Sequence, residues 1–165
     1  MSRVAARLAD LELELPAVAA AVGAYVPAVR TGTWVHTSGQ LPFVDGTLPV
    51  IGVVGTGEGQ VDPQLAAGLA ATAALNALAA VGALLAAEDG TTPAAALDRI
   101  VRVVKVVGFV ASDPAFTGQP AVLNGASHLL HELLGDAGVH ARSAVGVAAL
   151  PLGSPVEVEL LVEVV

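Results

Sequence analysis

The sequence predicts an α+β fold in which two long helices cover one face of a β-sheet. The predicted elements run in the order strands, long helix, strand, helix, strand, strand, which is typical of α+β proteins. Hydrophobic residues make up 55% of the 165-residue chain, so a single domain over 1–165 can bury a large core. Charged residues make up only 13%, about half of the usual share. This predicts that the second sheet face is buried in a homo-oligomer.

The first predicted elements are short. Ser2 is a suitable N-cap for a helix, and the alternation over Leu11–Leu15 predicts a brief strand after it. β-Branched and aromatic residues on both sides of Thr31-Gly32 predict a hairpin. The glycine-rich stretch Phe43–Gly59 predicts a loop-rich insertion around a short strand, Val50–Val54.

The later predicted elements are longer. A helix begins at Asp62-Pro63, where an N-cap precedes a proline, and it runs to about Glu88. The nearly continuous Val and Ile residues from Arg99 to Val110 predict a strand that is buried on both faces. The remaining predicted elements are a helix over Gln119–Leu134 and two strands over Arg142–Ala149 and Val156–Val165.

Charge and hydropathy exclude several classes of function. Seven Lys and Arg against 15 Asp and Glu give a net charge of −8, whereas nucleic-acid binding needs clustered cations, so no nucleic-acid partner is expected. The 25 uncharged residues between Asp62 and Glu88 could span a bilayer. Their acidic flanks do not fit membrane anchoring, and we expect a buried helix of a protein without a membrane partner. Acidic residues also interrupt any leader-like stretch, so we expect no signal peptide and a cytoplasmic location.

Two motifs resemble ligand sites but lack the required spacing. The glycines of VVGTGEGQVDP match neither a dinucleotide fingerprint nor a phosphate-binding loop, so a plain loop is the simpler interpretation. His128 and His131 lie three apart on a predicted helix beside Glu132. No third ligand follows from the spacing, and surface or packing histidines are favoured over a metal site. We therefore expect no metal and no cofactor, and the absence of Cys excludes disulfides and thiolate chemistry.

Two groups of charged residues lie in otherwise apolar strands. Glu157, Glu159 and Glu163 alternate, so they share one face of the last strand. That face is either solvated or, if it lies in an assembly, a place where a partly buried Glu has a function. Arg142 begins an uncharged strand and is either half of an interface ion pair or a receptor for a carboxylate. The pattern leaves both alternatives open and identifies no reaction.

Four segments together resemble the Rid family, the reactive intermediate deaminases, which are also called YjgF-like and in places L-PSP-type endoribonucleases. They are AYVPAVRTGTWVHTSGQLP, VVKVVGFVASDPAF, AVLNGASHLLHELLG and HARSAVGVAALPLGSPVEVELLVEV, and they cover most of the chain from Tyr25 onward. An N-terminal extension, 1–16, and the insertion near 43–62 exceed the short members. The chain therefore resembles the longer branch of the family.

The resemblance implies a chorismate-mutase-like fold with a mixed sheet, a homotrimer, and sites between subunits that hydrolyse 2-imino or enamino acids to 2-oxo acids and ammonia. Arg142 matches the residue that holds the substrate carboxylate, and Glu157 matches the residue that handles water. Ala144 stands where the family often has Cys, and His140, where it often has Pro, would add a proton donor. The substrate pocket would be lined by Tyr25, Ser38, Gly39, Asn124 and His140.

Two other functions compete with deamination. A trimer that only binds a 2-oxo acid or a related small carboxylate would keep the same Arg pocket without rapid turnover. The ribonuclease label fits poorly with a net charge of −8 and with no basic, aromatic surface in the sequence.

Overall fold

The computed structural model describes residues 2–18 and 23–165. Four α-helices and one five-stranded sheet account for most of the regular structure in these residues. The predicted α+β fold is confirmed. The helices are α1 (Arg3–Asp10), α2 (Pro63–Asp89), α3 (Pro93–Ala96) and α4 (Gln119–Leu134). The strands are β1 (Ala28–Thr31), β2 (Trp34–Thr37), β3 (Ile100–Ala111), β4 (Ala141–Val147) and β5 (Val156–Val164).

The sheet is mixed and has the strand order β1-β2-β5-β3-β4. β3 and β4 are parallel, and the other neighbouring pairs are antiparallel. β1 and β2 form the predicted hairpin, in which Thr31 pairs with Trp34 and Gly32 takes a φ of +58° in the turn. A positive φ at this point is typical of tight hairpin turns and favours glycine. β4 lies at an open edge of the sheet.

One face of the sheet packs under α2 and α4. Alternate residues of β5 from Val156 to Val164 are buried, and the residues between them are half-buried. The buried set belongs to the same apolar cluster as the interior faces of both helices. A Cβ at Gly108 of β3 would overlap the side chain of Leu123 of α4, so the helix lies directly on the sheet there.

The long helix α2 is a core helix. It has the length and hydropathy of a membrane span, but 78% of its most apolar window is buried inside the fold. Oδ1 of Asp62 accepts hydrogen bonds from the backbone N–H groups of Gln64 (2.8 Å) and Leu65 (3.1 Å), as expected for the predicted N-cap. Gly90, with a φ of +71°, ends the helix.

The N-terminal helix α1 is tied to the main core. Ser2 caps it as predicted, because its hydroxyl oxygen accepts from the N–H of Ala5 at 3.2 Å. The carboxylate of Asp98 accepts from the N–H groups of Arg3 (2.8 Å) and Val4 (2.9 Å). Val4 itself is fully buried in the core cluster. The first turn of the extension is therefore fixed to the segment before β3.

The outer face of the sheet combines carboxylates with apolar residues. The register places Phe109 of β3 beside Glu157 of β5, and Val107 beside Glu159. Large apolar side chains are also exposed toward the sheet edges, and 39% of the surface of Trp34 is open to solvent. A lone chain would leave this face only partly covered.

The predicted strand over Leu11–Leu15 is wrong. The chain turns there: Glu12 has a φ of +54°, and the N–H of Leu13 donates to the carbonyl of Leu8 at 2.8 Å. The alternate leucines instead pack against the edge of the apolar core. The alternation of leucines with acidic residues therefore reflects an irregular segment that packs one side against the core.

Two further expectations are corrected. Residues 50–54 form no strand, because Gly52 has a φ of +133° and only Val54 makes isolated bridges. The prediction that β3 is buried on both faces is wrong for the single chain, since Val103 and Val106 are fully buried while Val101 is 48% exposed. The predicted boundaries of the long helices and of β4 and β5 agree with the structure to within about two residues.

Candidate functional site

Arg142 lies on the edge strand β4 with its side chain directed at α4. The register pairs it with the buried Val106, which places its side chain on the helical face of the sheet. Nη1 donates to Oδ1 of Asn124 (3.0 Å) and to Oγ of Ser127 (2.9 Å). Nη2 donates to the carbonyl oxygen of Pro120 at 3.0 Å. Three hydrogen bonds therefore fix the plane of the guanidinium.

The geometry of α4 explains why these three acceptors converge. Pro120, Asn124 and Ser127 are spaced i, i+4 and i+7, which places them along one stripe of a helix. Proline is well tolerated in the first turn, so Pro120 starts the helix without losing a needed hydrogen bond. The stripe faces the side of β4 that carries Arg142.

The guanidinium retains free donors. Arginine has five N–H groups, and three of those of Arg142 have acceptors. Within the described residues, Nε–H and one N–H of Nη2 have no acceptor. Two donors on different nitrogens of a planar guanidinium match the two oxygens of a carboxylate. Asn124 is exposed next to them, so the fork is accessible to a small acid.

His140 lies behind Arg142. Its Nε2 is 3.0 Å from Oγ of Ser127, and its Nδ1 is 2.6 Å from the carbonyl oxygen of Gly138. Burial lowers the pKa of the imidazole below 6.5, and the charge of Arg142 lowers it further, whereas the bond to Gly138 raises it. Both ring nitrogens are occupied by the protein, which favours a supporting role over the expected contact with substrate.

Glu157 lies in a separate corner, on the outer face of β5. A Cβ at Gly39 would overlap its carboxylate, so only glycine allows the chain to pass at this distance. The backbones of Gln40 and Val158 exchange hydrogen bonds of 2.9 and 3.0 Å, which fixes this close approach. Burial raises the pKa of the Glu157 carboxyl, and the neighbouring carboxylate of Glu159 raises it further. A carboxylate with a raised pKa is suited to accept a proton near neutral pH.

Ser38 and Tyr25 extend the Glu157 corner. The hydroxyl of Ser38 donates to the carbonyl of Val26 at 2.7 Å, and its N–H donates to the carbonyl of Pro27 at 2.9 Å. These bonds hold the segment that carries Tyr25 beside the end of β2. Half of the surface of Tyr25 is exposed (52%), so its ring can contact a ligand or a second chain.

The predicted site residues thus form two groups that do not meet within one chain. Arg142 is on the helical face of β4, and Glu157 is on the outer face of β5. β3 separates these two strands, so the two positions are about 10 Å apart across the sheet. Along β3 their registers differ by three residues, Val106 against Phe109, which adds about 10 Å. No small substrate can bridge both side chains of the same chain.

Ser127 also belongs to the cluster around Arg142, although the sequence analysis did not identify it. It contacts both Arg142 and His140. A signal was present, since Ser127 follows Asn124 by three residues on the predicted helix and therefore shares its face. The carbonyl of Pro120 leaves no such signal, because any residue supplies a backbone oxygen.

The helical histidines have ordinary surroundings. Nδ1 of His131 is 3.1 Å from the carbonyl oxygen of Gly135, where α4 ends. Among residues 2–18 and 23–165, no three His, Asp or Glu side chains converge as a metal site would require.

Comparison with known families decides the identity of this fold. A family model described as YjgF/chorismate mutase-like, with a provisional endoribonuclease label, matches residues 5–164. The chain belongs to this YjgF-like (Rid) family. The predicted membership is therefore confirmed, together with the chorismate-mutase-like fold.

Relatives within the YjgF-like family align over almost the whole chain. Protein TCP17 of Trypanosoma cruzi is 45% identical over 162 residues, which are 98% of this chain and 94% of that protein. The crystal structure of Atu1372 from Agrobacterium tumefaciens, of unknown function, shows 40% identity and a TM-score of 0.85 over 98% of this chain and 93% of that one. A provisionally named endoribonuclease from Shewanella oneidensis shows 32% identity and a TM-score of 0.86 over 98% and 99%.

Each of these alignments covers 98% of this chain, so nearly all of the extension over 1–16 and of the insertion near 43–62 is included. Of these three names, that of the Shewanella protein gives an activity, and that activity is provisional. The protein is therefore a YjgF-like protein with the fold of that family.

Proposed function

We propose that this YjgF-like protein hydrolyses reactive 2-imino or enamino acids to 2-oxo acids and ammonia, in sites between the subunits of a homotrimer. The observation that carries the proposal is the guanidinium of Arg142, which three hydrogen bonds hold in place while two N–H groups have no acceptor among residues 2–18 and 23–165. A fixed arginine fork of this kind is suited to a small carboxylate.

Arg142 binds the substrate and sets its orientation. The carboxylate of a 2-imino acid accepts a hydrogen bond from each of the two free N–H groups. The neighbouring C=N carbon is then held at a fixed distance from the guanidinium. Such positioning replaces an encounter in solution with a reaction inside one complex. The exposed amide of Asn124 lies beside the same fork and orients a polar group of the substrate.

Glu157 activates the water. No described residue donates a hydrogen bond to its carboxylate, which is therefore available to a water molecule, and its raised pKa makes it a better base. The water oxygen bonds to the carbon of the protonated imine, while Glu157 takes one water proton. The carbinolamine nitrogen then receives that proton, and the C–N bond breaks with loss of ammonia while Glu157 takes the proton of the hydroxyl group. This leaves a 2-oxo acid, and the last proton leaves with ammonia as ammonium. The reaction consumes one water and requires no metal or organic cofactor.

The two groups meet only if different subunits supply them. Within one chain, Arg142 and Glu157 lie on opposite faces of the sheet and two strands apart. β4 is an open edge, and the outer face carries exposed apolar side chains such as Val145. Both features favour assembly. A cyclic trimer would place the β4 edge of one subunit against the outer face of the next.

Binding without rapid turnover is the second candidate. The Arg142 fork is complete within one chain, whereas the proposed base is not near it. A trimer that brought Glu157 too far from the bound acid would remain a receptor for 2-oxo acids or related carboxylates. The endoribonuclease label has less support, because a net charge of −8 repels phosphates.

Purified protein supplied with freshly generated 2-imino acids tests the proposal. Accelerated ammonia release would support the deaminase, and saturable binding of 2-oxo acids without ammonia release would support the binding protein. If the wild-type trimer neither releases ammonia nor binds 2-oxo acids, both candidate functions are overturned.

Arg142→Lys tests the role of the fork. We expect it to weaken 2-oxo-acid binding about 10- to 150-fold, since lysine cannot make the paired contact and a charge-assisted hydrogen bond contributes roughly 1.5–3 kcal/mol. Binding would be measured by calorimetry and oligomeric state by light scattering. A trimer that dissociates in Arg142→Ala while the remaining assembled protein binds normally would assign Arg142 to the interface instead.

A further inference from the structure

Ser127 and His140 form a hydrogen-bonded chain that ends on Arg142. Nη1 of Arg142 is 2.9 Å from Oγ of Ser127, and that oxygen is 3.0 Å from Nε2 of His140. Nδ1 of His140 is 2.6 Å from the carbonyl oxygen of Gly138. All three side chains are half-buried. Ser127 contacts Nη1 of Arg142, whereas the donors left for a carboxylate are on Nε and Nη2.

The acceptor at Gly138 gives this chain a direction. A carbonyl oxygen only accepts, so Nδ1 of His140 carries the hydrogen and Nε2 of the neutral ring is an acceptor. The hydroxyl of Ser127 must then donate to Nε2. Its oxygen is left with lone pairs for the N–H of Arg142. Every donor in the chain therefore points away from Arg142 and toward Gly138.

We propose that Ser127 and His140 are positioning residues, which hold the guanidinium of Arg142 in the orientation that presents its two free N–H groups to a carboxylate. The inference rests on the proposed function of Arg142 as a carboxylate receptor. It assigns to His140 a place behind the receptor rather than in contact with the substrate.

Protonation of His140 reverses one link of the chain. Nε2–H would then point at the oxygen of Ser127, which already accepts from Arg142, and two cations would share one hydroxyl. Besides Arg142, the titratable side chains on the elements around His140 are His128, His131 and Glu132 of α4, Asp136 of the following turn, and Arg102 and Lys105 of β3. Within the described residues, Arg142 is the charged group that acts on the titration of His140. Acid should therefore loosen Arg142 through His140.

The first test measures the affinity of wild type and variants for pyruvate by calorimetry. Ser127→Ala should weaken binding about 3- to 10-fold, because one hydrogen bond that positions the receptor is lost. Ser127→Thr keeps the hydroxyl and should stay within about twofold of wild type. His128→Gln, a change at an exposed neighbour on the same helix, is the matched control and should leave the affinity unchanged.

The second test follows pyruvate affinity against pH. Wild-type affinity should fall as the pH drops through the pKa of His140, which lies below 6.5. Glu157 also titrates in acid, so the inflection is assigned to His140 by its loss in His140→Gln. An affinity that rises in acid would show that His140 acts as an added charge and would overturn the positioning role.

The third test needs no ligand. Long-range proton–nitrogen NMR spectra of the imidazole should show the Nδ1–H tautomer of His140 in wild type, and its pKa should shift in Ser127→Ala. If wild type binds pyruvate and both Ser127→Ala and His140→Gln bind it with the same affinity, the positioning role is overturned and the proposed function stands. Wild type that binds no pyruvate, but shows this tautomer and its shift, would overturn the proposed function instead.

Discussion

The corner formed by Gly39 and Glu157 shows how one small residue determines the surroundings of the proposed base. The backbone at Gly39 passes so close to Glu157 that any Cβ would overlap the carboxylate. This contact, together with the sheet beneath it, takes the carboxyl out of water on one side and raises its pKa. At the residue scale, the proposed base is therefore tuned mainly by burial.

Glu157→Gln should keep the fold and the binding of 2-oxo acids, while it slows ammonia release about 10²- to 10⁴-fold. The amide fills the same space but cannot take a proton from water. Glu163→Gln is the matched control, because it lies on the same face of the same strand, six residues further on. Steady-state rates of ammonia release from the two variants give the comparison, and equal losses would mean that the acidic face is structural.

Glu157 should also determine how the rate of ammonia release depends on pH. Glu157 must be ionised to act as a base, and its pKa is raised, so turnover should fall as the pH drops through that raised value. Glu157→Gln should lose this limb of the profile.

The sequence predicted some of these residues and could not predict others. Arg142 and Glu157 could be singled out as charged residues in apolar strands, and the resemblance to the Rid family assigned their expected roles. The contact between Gly39 and Glu157 is made by residues far apart in the chain, so spacing could not reveal it. Ser127 was missed because a serine on a helix is common, and its importance depends on the rotamer of Arg142.

At the scale of elements, predictions based on capping residues agreed with the structure, whereas a prediction based on a short alternation of apolar residues did not. The start of α2 at Asp62-Pro63 and its end near Gly90 depend on the local preferences of Asp, Pro and Gly, which can be read from the sequence. The alternation at Leu11–Leu15 was ambiguous, since a core can bury alternate side chains of a turn as well as of a strand. The parallel pairing of β3 with β4 is a long-range contact with no local signal.

Close packing of α2 on α4 gives the prediction at this scale. A Cβ at Gly125 of α4 would overlap the backbone carbonyl of Ala67 in α2. Gly125→Ala should therefore push the helices apart and lower the free energy of unfolding by about 1–3 kcal/mol. Gly68→Ala, next to the contact but with open space around it, should be neutral or stabilising by up to about 1 kcal/mol.

Urea unfolding of both variants measures this difference at one fixed protein concentration, because the stability of an oligomer depends on concentration. Equal stability of Gly125→Ala and wild type would mean that the two helices can separate without cost.

At the scale of the whole molecule, the low charge content and the divided site lead to the same assembly. A chain with 13% charged residues and an exposed apolar outer sheet face is expected to bury that face. The open edge at β4 carries Arg142, the proposed receptor, and the outer face at β5 carries Glu157, the proposed base. A cyclic interface joins two different surfaces, so each contact would combine one Arg142 with the Glu157 of the next subunit.

Subunit mixing tests this arrangement directly. Light scattering should first give about 49 kDa for wild type, three times the 16.3 kDa of one chain. Arg142→Ala and Glu157→Gln chains, each inactive alone, would then be co-expressed in equal amounts with different tags and purified as mixed trimers. If each site takes its arginine from one subunit and its glutamate from the next, every mixed trimer has both native residues in one of its three sites, which is about one third of the sites. Ammonia release should recover to about that fraction of the wild-type rate, whereas a site built within one chain would recover nothing.

Co-expression of Glu157→Gln with a chain that carries both substitutions is the control and should remain inactive, because no subunit then supplies a native Glu157. Recovery in that control, or none in the complementary pair despite intact trimers, would contradict the shared site.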